Sequence, residues 1–348
     1  MTIHSAFKTQ AINCHNLDSP FTGRFCDLFS QHLKPDGKVA ETLFNWTGDL
    51  GPYGASLPLR LAGAFHALVL EGHSRELQAV YPPHHEIIND NQLWNTFQST
   101  LYDHADFILQ RLQSPPQTNE VRRSSALVPG FLTIAAQTGF PFVLSEVGAS
   151  TGLNLLWDCY QFQFNNLSWG DNQSTVKLAP QWSGPMPPDA PVEVLSRAGC
   201  DLLPLNAASV DDRARLLSYI WPDQVERIAL IRAALDIASN NPPPIAKSDA
   251  LSWLEQRLAT PHTNATHVIY HTIMWQYMSP SDQKCGQDLI AAAGMRATNT
   301  APLAWLRLEA DDKEPGAALM LTLWPTGKEQ CIGRADFHGR WVNWIGWS

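Results

Sequence analysis

The chain has 348 residues, 44% of them hydrophobic, enough for one large domain or two ordinary ones around a sizeable core. Charged residues make up only 16%, and 24 basic against 33 acidic residues leave a net charge of −9. This composition excludes a disulfide-stapled mini-protein and a disordered, solvating chain. It also lacks the Lys/Arg footprint demanded by nucleic acid or an anionic membrane, since the densest basic cluster is Arg122-Arg123. Thirteen tryptophans and few charges favour a pocketed protein whose partner is a small molecule. Oligomeric state is not legible in such numbers.

The six cysteines, Cys14, Cys26, Cys159, Cys200, Cys285 and Cys331, form no CxxC pair, which argues against a zinc ribbon, a redox motif or a secreted disulfide framework. Residues 1–21 hold no continuous apolar stretch of signal-peptide type, and no run approaches the ~20 apolar residues of a membrane span. The expected location is cytoplasmic, with reduced thiols and no bound metal.

In chain order, 22–33 places Phe25, Leu28, Phe29 and Leu33 on one helical face. Ser56 reads as the N-cap of a helix through Leu70, with Pro58 in its first turn. His84-His85 reads as a surface loop. Asp90 reads as the cap of a helix through Leu112, and a further helix is expected over 119–137, kinked at Pro129. No strand is expected before Phe140. From there the period changes. Residues 142–147 (FVLSEV) read as a strand, 148–152 as a glycine turn and 153–160 as a helix. An inserted hairpin follows over 160–182, then a strand over 192–200. Helices are expected over 211–219, 223–238, 250–258 and 281–293, a strand over 267–272, and a closing meander over 303–309, 317–324 and 331–337.

This order predicts a helical cap region over 1–138 and an α/β domain over 139–348. The latter would be a mainly parallel sheet, covered on both faces, with ligands beyond its carboxyl edge. The segment Glu146-Val147-Gly148-Ala149-Ser150-Thr151-Gly152-Leu153-Asn154 is the most informative. A dinucleotide GxGxxG fits poorly, because Ser150 and Leu153 stand where glycines are needed. A hydrolase elbow, GxSxG, fits the letters with Ser150 as nucleophile, and Asp249 or Asp311 and His338 follow in the required order. A non-catalytic protein with a nucleotide-like pocket is a further alternative.

The same segment resembles the glycine loop of class I S-adenosylmethionine-dependent methyltransferases, with Glu146, Gly148 and Gly152 in frame and Ser150 in place of the middle glycine. That resemblance implies a Rossmann-like sheet and S-adenosylmethionine as cofactor. It would be held by Glu146, Gly148, Ser150, Gly152 and Asn154, by Asp201 at the ribose, and by Asp249 and Ala250 at the adenine. On the acceptor side it implies His271 and His338 as catalytic candidates, with Asn119, Glu120, Trp275, Gln276 and Tyr277 lining the substrate. Each competes with a structural role: glycines that only turn the chain, Asp249 as a helix cap, His271 as a hydrogen-bonded core residue.

The chain as a whole is similar to a bacterial family, domain of unknown function 2332. The similarity lies in 117–121 (QTNEV), 146–154, 219–224 (YIWPDQ), 271–277 (HTIMWQY), 304–309 (AWLRLE) and 336–341 (DFHGRW). That family carries no established reaction, so methyl transfer remains an expectation by analogy.

Overall fold

Aromatic side chains at helical spacing organise the first part of the chain. The structure, a computed structural model, describes residues 1–52, 54–84 and 88–348; His85 lies outside them. It divides into two compact units, Met1–Thr118 with Ser209–Arg232, and Asn119–Ala208 with Ala233–Ser348.

The first unit is helical: α1 (Ile3–Asn16), α2 (Pro20–His32), α3 (Lys38–Phe44), α4 (Leu57–Leu70), α5 (Arg75–Val80), α6 (Asp90–Asp103), α7 (Ala105–Leu112) and α9 (Val210–Ser218); the division falls within α10 (Val225–Asn240). Its core is the face read from 22–33. Phe25 lies 4.5 Å from Phe29 and 4.9 Å from Phe97, ring centre to ring centre, and Phe65 closes the cluster. Sequence reasoning missed α1, α3 and α5. The helix expected from Asp90 to Leu112 is two, broken at His104 (φ −118°, ψ 26°), and its cap is Asn89, which accepts the Gln92 N–H. Ser56 stands at the N-cap of α4 as expected, with Pro58 in the first turn, but at φ 48° its side chain caps no amide and its hydroxyl donates to the Pro52 carbonyl.

The second unit is built on one large mixed sheet flanked by helices. Its strands are β1 (Phe142–Val147), β5 (Gln181–Ser183), β6 (Val194–Asp201), β7 (Ile245–Lys247), β8 (Thr266–Thr272), β9 (Leu303–Glu309), β10 (Ala317–Trp324), β11 (Lys328–Ala335) and β12 (Trp341–Trp344). The order is β5-β12-β11-β10-β9-β8-β1-β6-β7. Pairs from β7 to β9 are parallel, and β9 to β12 are antiparallel. All six residues of β1 and all seven of β8 are buried, the continuous apolar run of a strand covered on both faces. The crossover after β1 goes to one side and that before β8 returns to the other, so the carboxyl ends of β1 and β8 flank the sheet's switch point.

One face packs on α8 (Ser124–Thr138). This helix is buried on every side through Ala135 and carries Pro129 inside it. Phe131 stacks on Trp157 at 4.3 Å and meets Tyr270 edge-on. Gly130 admits Leu306, whose Cδ1 would stand 2.7 Å from a Cβ there. The other face packs on α11 (Ala250–Arg257) and α12 (Pro280–Gly294) through Leu254, Ile269, Ile290 and Trp305. The helix expected over 119–137 begins only at Ser124, after a single 3-10 turn over Val121–Arg123.

The largest correction concerns 153–160. Instead of an α-helix, Leu153–Cys159 forms 3-10 turns kinked at Leu156, and among the described residues no α-helix lies between β1 and β6. Tertiary partners decide this. The Asn119 side chain accepts the Leu153 N–H at 2.8 Å, and the Tyr160 hydroxyl donates to the Leu153 carbonyl at 2.6 Å. The second involves a carbonyl that an α-helix would give to the Trp157 N–H, whereas the first amide of any helix is open to such a side chain. The hairpin expected near 160–182 is present as β2 (Gln161–Phe164) and β3 (Leu167–Gly170), joined by β4 (Lys177–Leu178) in a small second sheet. The last strand of the expected meander runs over Lys328–Ala335, and β12 after it was not foreseen.

Candidate functional site

The turn after β1 is a closed hydrogen-bonded unit. Gly148 and Ala149 donate their N–H groups to the Cys200 carbonyl, both at 2.9 Å, and Gly152 donates to Ala149. Gly148, Ser150 and Gly152 all have positive φ (72°, 53° and 77°). A Cβ on Gly148 would stand 2.9 Å from Met274, and one on Gly152 2.9 Å from Ile245, so both glycines also admit close side-chain packing. Leu153 N–H is held by the Asn119 side chain. Two hydroxyls of the turn, Ser150 Oγ and Thr151 Oγ1, are nevertheless buried without any hydrogen-bond partner.

Asp201 ends β6 beside this turn. Its Oδ2 accepts the Ser150 N–H at 2.8 Å and its Oδ1 the Leu203 N–H at 2.9 Å. Glu146, paired in register with Gly199 and Tyr270, is buried on the α8 face. Burial first, and the Asp201 charge second, push its carboxyl well above the usual range; the Tyr270 hydroxyl, 3.5 Å away, and the Arg123 charge pull the other way. Asn154 faces the protein: its side-chain oxygen accepts from Ser124 Oγ at 2.7 Å. Glu120 is buried and accepts the Arg122 N–H. Asp249 is exposed and caps α11 through the Ser252 N–H, a bond that holds its carboxyl below the ordinary value; Ala250 is the first residue of that helix.

A second cluster lies at the carboxyl ends of β8 and β9. Trp305 Nε1–H, which can only donate, reaches His271 Nε2 at 3.1 Å. The His271 proton therefore sits on Nδ1 and is donated to Glu309 Oε1 at 2.6 Å. The same oxygen accepts the N–H groups of Met274 (3.1 Å) and Trp275 (3.3 Å). Glu309 Oε2 and Trp275 Nε1 are buried and have no partner. The Trp275 ring stacks on His271 at 4.5 Å. Between Thr272 and Met274, Ile273 adopts φ 47°, a strained conformation for a β-branched residue, and its N–H is fixed by the Leu308 carbonyl. Met274 thus links the two clusters, its side chain against Gly148 and its amide on Glu309.

Gln276 and Tyr277 turn away from this cluster; Tyr277 is 65% exposed. His338 stands in the β11–β12 turn, its N–H on Asp336. Burial raises the Asp336 carboxyl, but the Arg340 fork and the turn amides outweigh this and hold it low. Arg123 donates to the Phe337 carbonyl there and to Thr272 at the end of β8. Ser150 is 3% exposed and has no imidazole on its oxygen, so the structure contains no activated serine at the GxSxG letters.

Sequence reasoning missed Trp305, Arg307 and Glu309 as site residues. Their signal was the alternation in LAWLRLE: Ala304, Leu306 and Leu308 face α8, whereas Trp305, Arg307 and Glu309 share the opposite face. Among the described residues no helix is long and apolar enough to cross a membrane, and no group of three or more His, Cys, Asp or Glu could hold a metal ion.

Sheet, turn and buried acids define an α/β protein with ionisable groups gathered at the carboxyl edge of its parallel strands. The chain belongs to the family described as "Uncharacterized protein conserved in bacteria (DUF2332)", whose profile matches residues 4–344. No curated protein and no solved structure matches it.

Proposed function

We propose that the second unit binds S-adenosylmethionine at the carboxyl ends of β1 and β6 and acts as a methyltransferase on a small molecule. The parallel strands run β7-β6-β1-β8-β9, which in their own sequence order is 3-2-1-4-5, an order shared by doubly wound nucleotide-binding sheets. The missing α-helix after β1 is this chain's departure from that pattern. The observation that carries the reading is the pair of orphaned hydroxyls, Ser150 and Thr151, in the turn at the carboxyl end of β1. Asp201 holds the Ser150 N–H at the end of the neighbouring strand, where a ribose would lie against its carboxylate. Glu146 would lie beneath the sulfonium end, where a cation would draw its carboxyl toward ionisation.

When bound, the cofactor supplies an electrophilic methyl group. The chain's own residues then contribute mainly position. His271, locked between Glu309 and Trp305, keeps the wall beyond β8 in place. Glu309, with Oε2 unpartnered, is the group suited to take a proton from an acceptor.

The test is calorimetric titration of the full chain with S-adenosylmethionine and S-adenosylhomocysteine, in the wild type and in Asp201→Ala. Saturable heat in the wild type that the variant loses supports the reading. Absence of heat and of any thermal shift at millimolar nucleoside in the wild type overturns it.

A further inference from the structure

A cleft of about 610 Å³ opens beside α12 over strands β9, β10 and β11, within the second unit. Its walls include Trp275, Trp305, Trp324, Arg307, Glu309 and Glu329. Two glycines of α12 let two of its indoles pack against that helix. A Cβ on Gly286 would stand 2.7 Å from the Trp275 ring, and one on Gly294 would run into Trp324, so both indoles lie close against the helix backbone. On the strands beside the helix the lining is mixed, with Arg307, Thr322 and Glu329 next to Trp305 and Trp324.

We propose that this cleft is a binding site for a small organic ammonium ion. Three observations converge. First, three indole rings line one cavity, and indole faces attract cations more strongly than other aromatic rings. Second, the protein already places a cation on one of them: the Arg307 guanidinium carbon lies 4.0 Å from the Trp305 ring centre, tethered to Glu329 at 2.5 Å and to Thr322 at 3.2 Å. Third, the lining carries Glu309, Glu329 and Asp288 against Arg307 alone, with Lys284 pairing Asp288 from the adjoining turn of α12. Arg307 is matched by Glu329, which leaves Glu309 as the acid without a cation. Its Oε1 collects three donors while Oε2 has none. A buried, unpartnered carboxylate oxygen is costly unless a donor or cation arrives, and Glu309 is part of the cleft's lining. The site shares Glu309 with the methyl-transfer reading but does not rest on it, because binding here requires no nucleoside.

The experiment is titration of the full chain with choline in the absence of any nucleoside, followed by tryptophan fluorescence. The neutral isostere 3,3-dimethylbutan-1-ol serves as the control. Choline gives a saturable change, and the alcohol binds more weakly by about tenfold or more, as expected when a cation–π and carboxylate contact is lost. Glu309→Gln and Trp324→Leu, each checked for folding by circular dichroism, weaken choline by a similar factor. The proposal is overturned if choline fails to saturate in the wild type, if the alcohol binds equally well, or if neither variant changes the affinity. A negative nucleoside titration with positive choline binding would sink the methyltransferase reading alone, and the reverse would sink this one alone.

Discussion

Removing the Glu309 side chain tests the second cluster most directly. Its Oε1 accepts His271 Nδ1–H at 2.6 Å and the Met274 and Trp275 amides at 3.1 and 3.3 Å. Glu309→Ala strands all three donors. His271 is wholly buried, so its loss carries the full cost of an unsatisfied buried donor, about 1–3 kcal/mol. The two amides hold longer bonds beside a cleft that water can enter, so they add less. The sum is about 2–5 kcal/mol of stability. Glu309→Gln keeps an acceptor for all three and loses the charge; bonds to an ionised acceptor are roughly twice as strong as neutral ones, so about 1–2 kcal/mol is expected. Equilibrium urea unfolding measures both. Hydrogen exchange at the Met274 and Trp275 amides should quicken in Glu309→Ala and change little in Glu309→Gln. A loss below about 1 kcal/mol for the alanine variant, or equal losses for both, would refute the assignment of three donors to one oxygen.

Three further outcomes are expected. Asn119→Ala leaves the buried Leu153 N–H without an acceptor and should cost about 1–3 kcal/mol in urea unfolding, with Asn119→Asp costing less because an acceptor remains. Glu146 has a folded pKa above its unfolded value of about 4.3, so the folded state binds more protons and its contribution to stability falls as pH rises from there through the raised value. The stability of Glu146→Gln relative to the wild type should therefore increase with pH over that window, and a constant difference would contradict the burial argument. Ser150→Ala removes a hydroxyl that has no partner, so stability should hold or rise by up to about 1 kcal/mol, and a fluorophosphonate probe should leave Ser150 unlabelled.

Much of the second unit was legible because its signals are local. The run FVLSEV marks β1 to the residue, since a parallel strand covered on both faces is mostly apolar, and here only Ser145 and Glu146 depart from that. HVIYHT and LAWLRLE mark β8 and β9 almost as closely. Gly148 and Gly152 mark a turn with positive φ, which a side chain resists. The acids Glu146, Asp201 and Asp249 follow three neighbouring strands, and their positions in the sequence were enough to gather them at one edge.

What the sequence could not decide was the partner of each group. The stretch 153–160 has the apolar content of a helix, but the Tyr160 hydroxyl takes its Leu153 carbonyl and Phe131, more than twenty residues earlier, takes its tryptophan, and 3-10 turns result. His271 reads as a base in a motif; Trp305 and Glu309, brought alongside only by strand pairing, occupy both its nitrogens. The cleft beside α12 is lined by Trp275, Trp305, Trp324, Arg307 and Glu329, which a 3-10 turn and three strands bring together from separate parts of the chain. Periodicity and turn chemistry act between near neighbours and are written in order along the chain. Hydrogen-bond satisfaction and cavity shape depend on residues that only the folded sheet brings together.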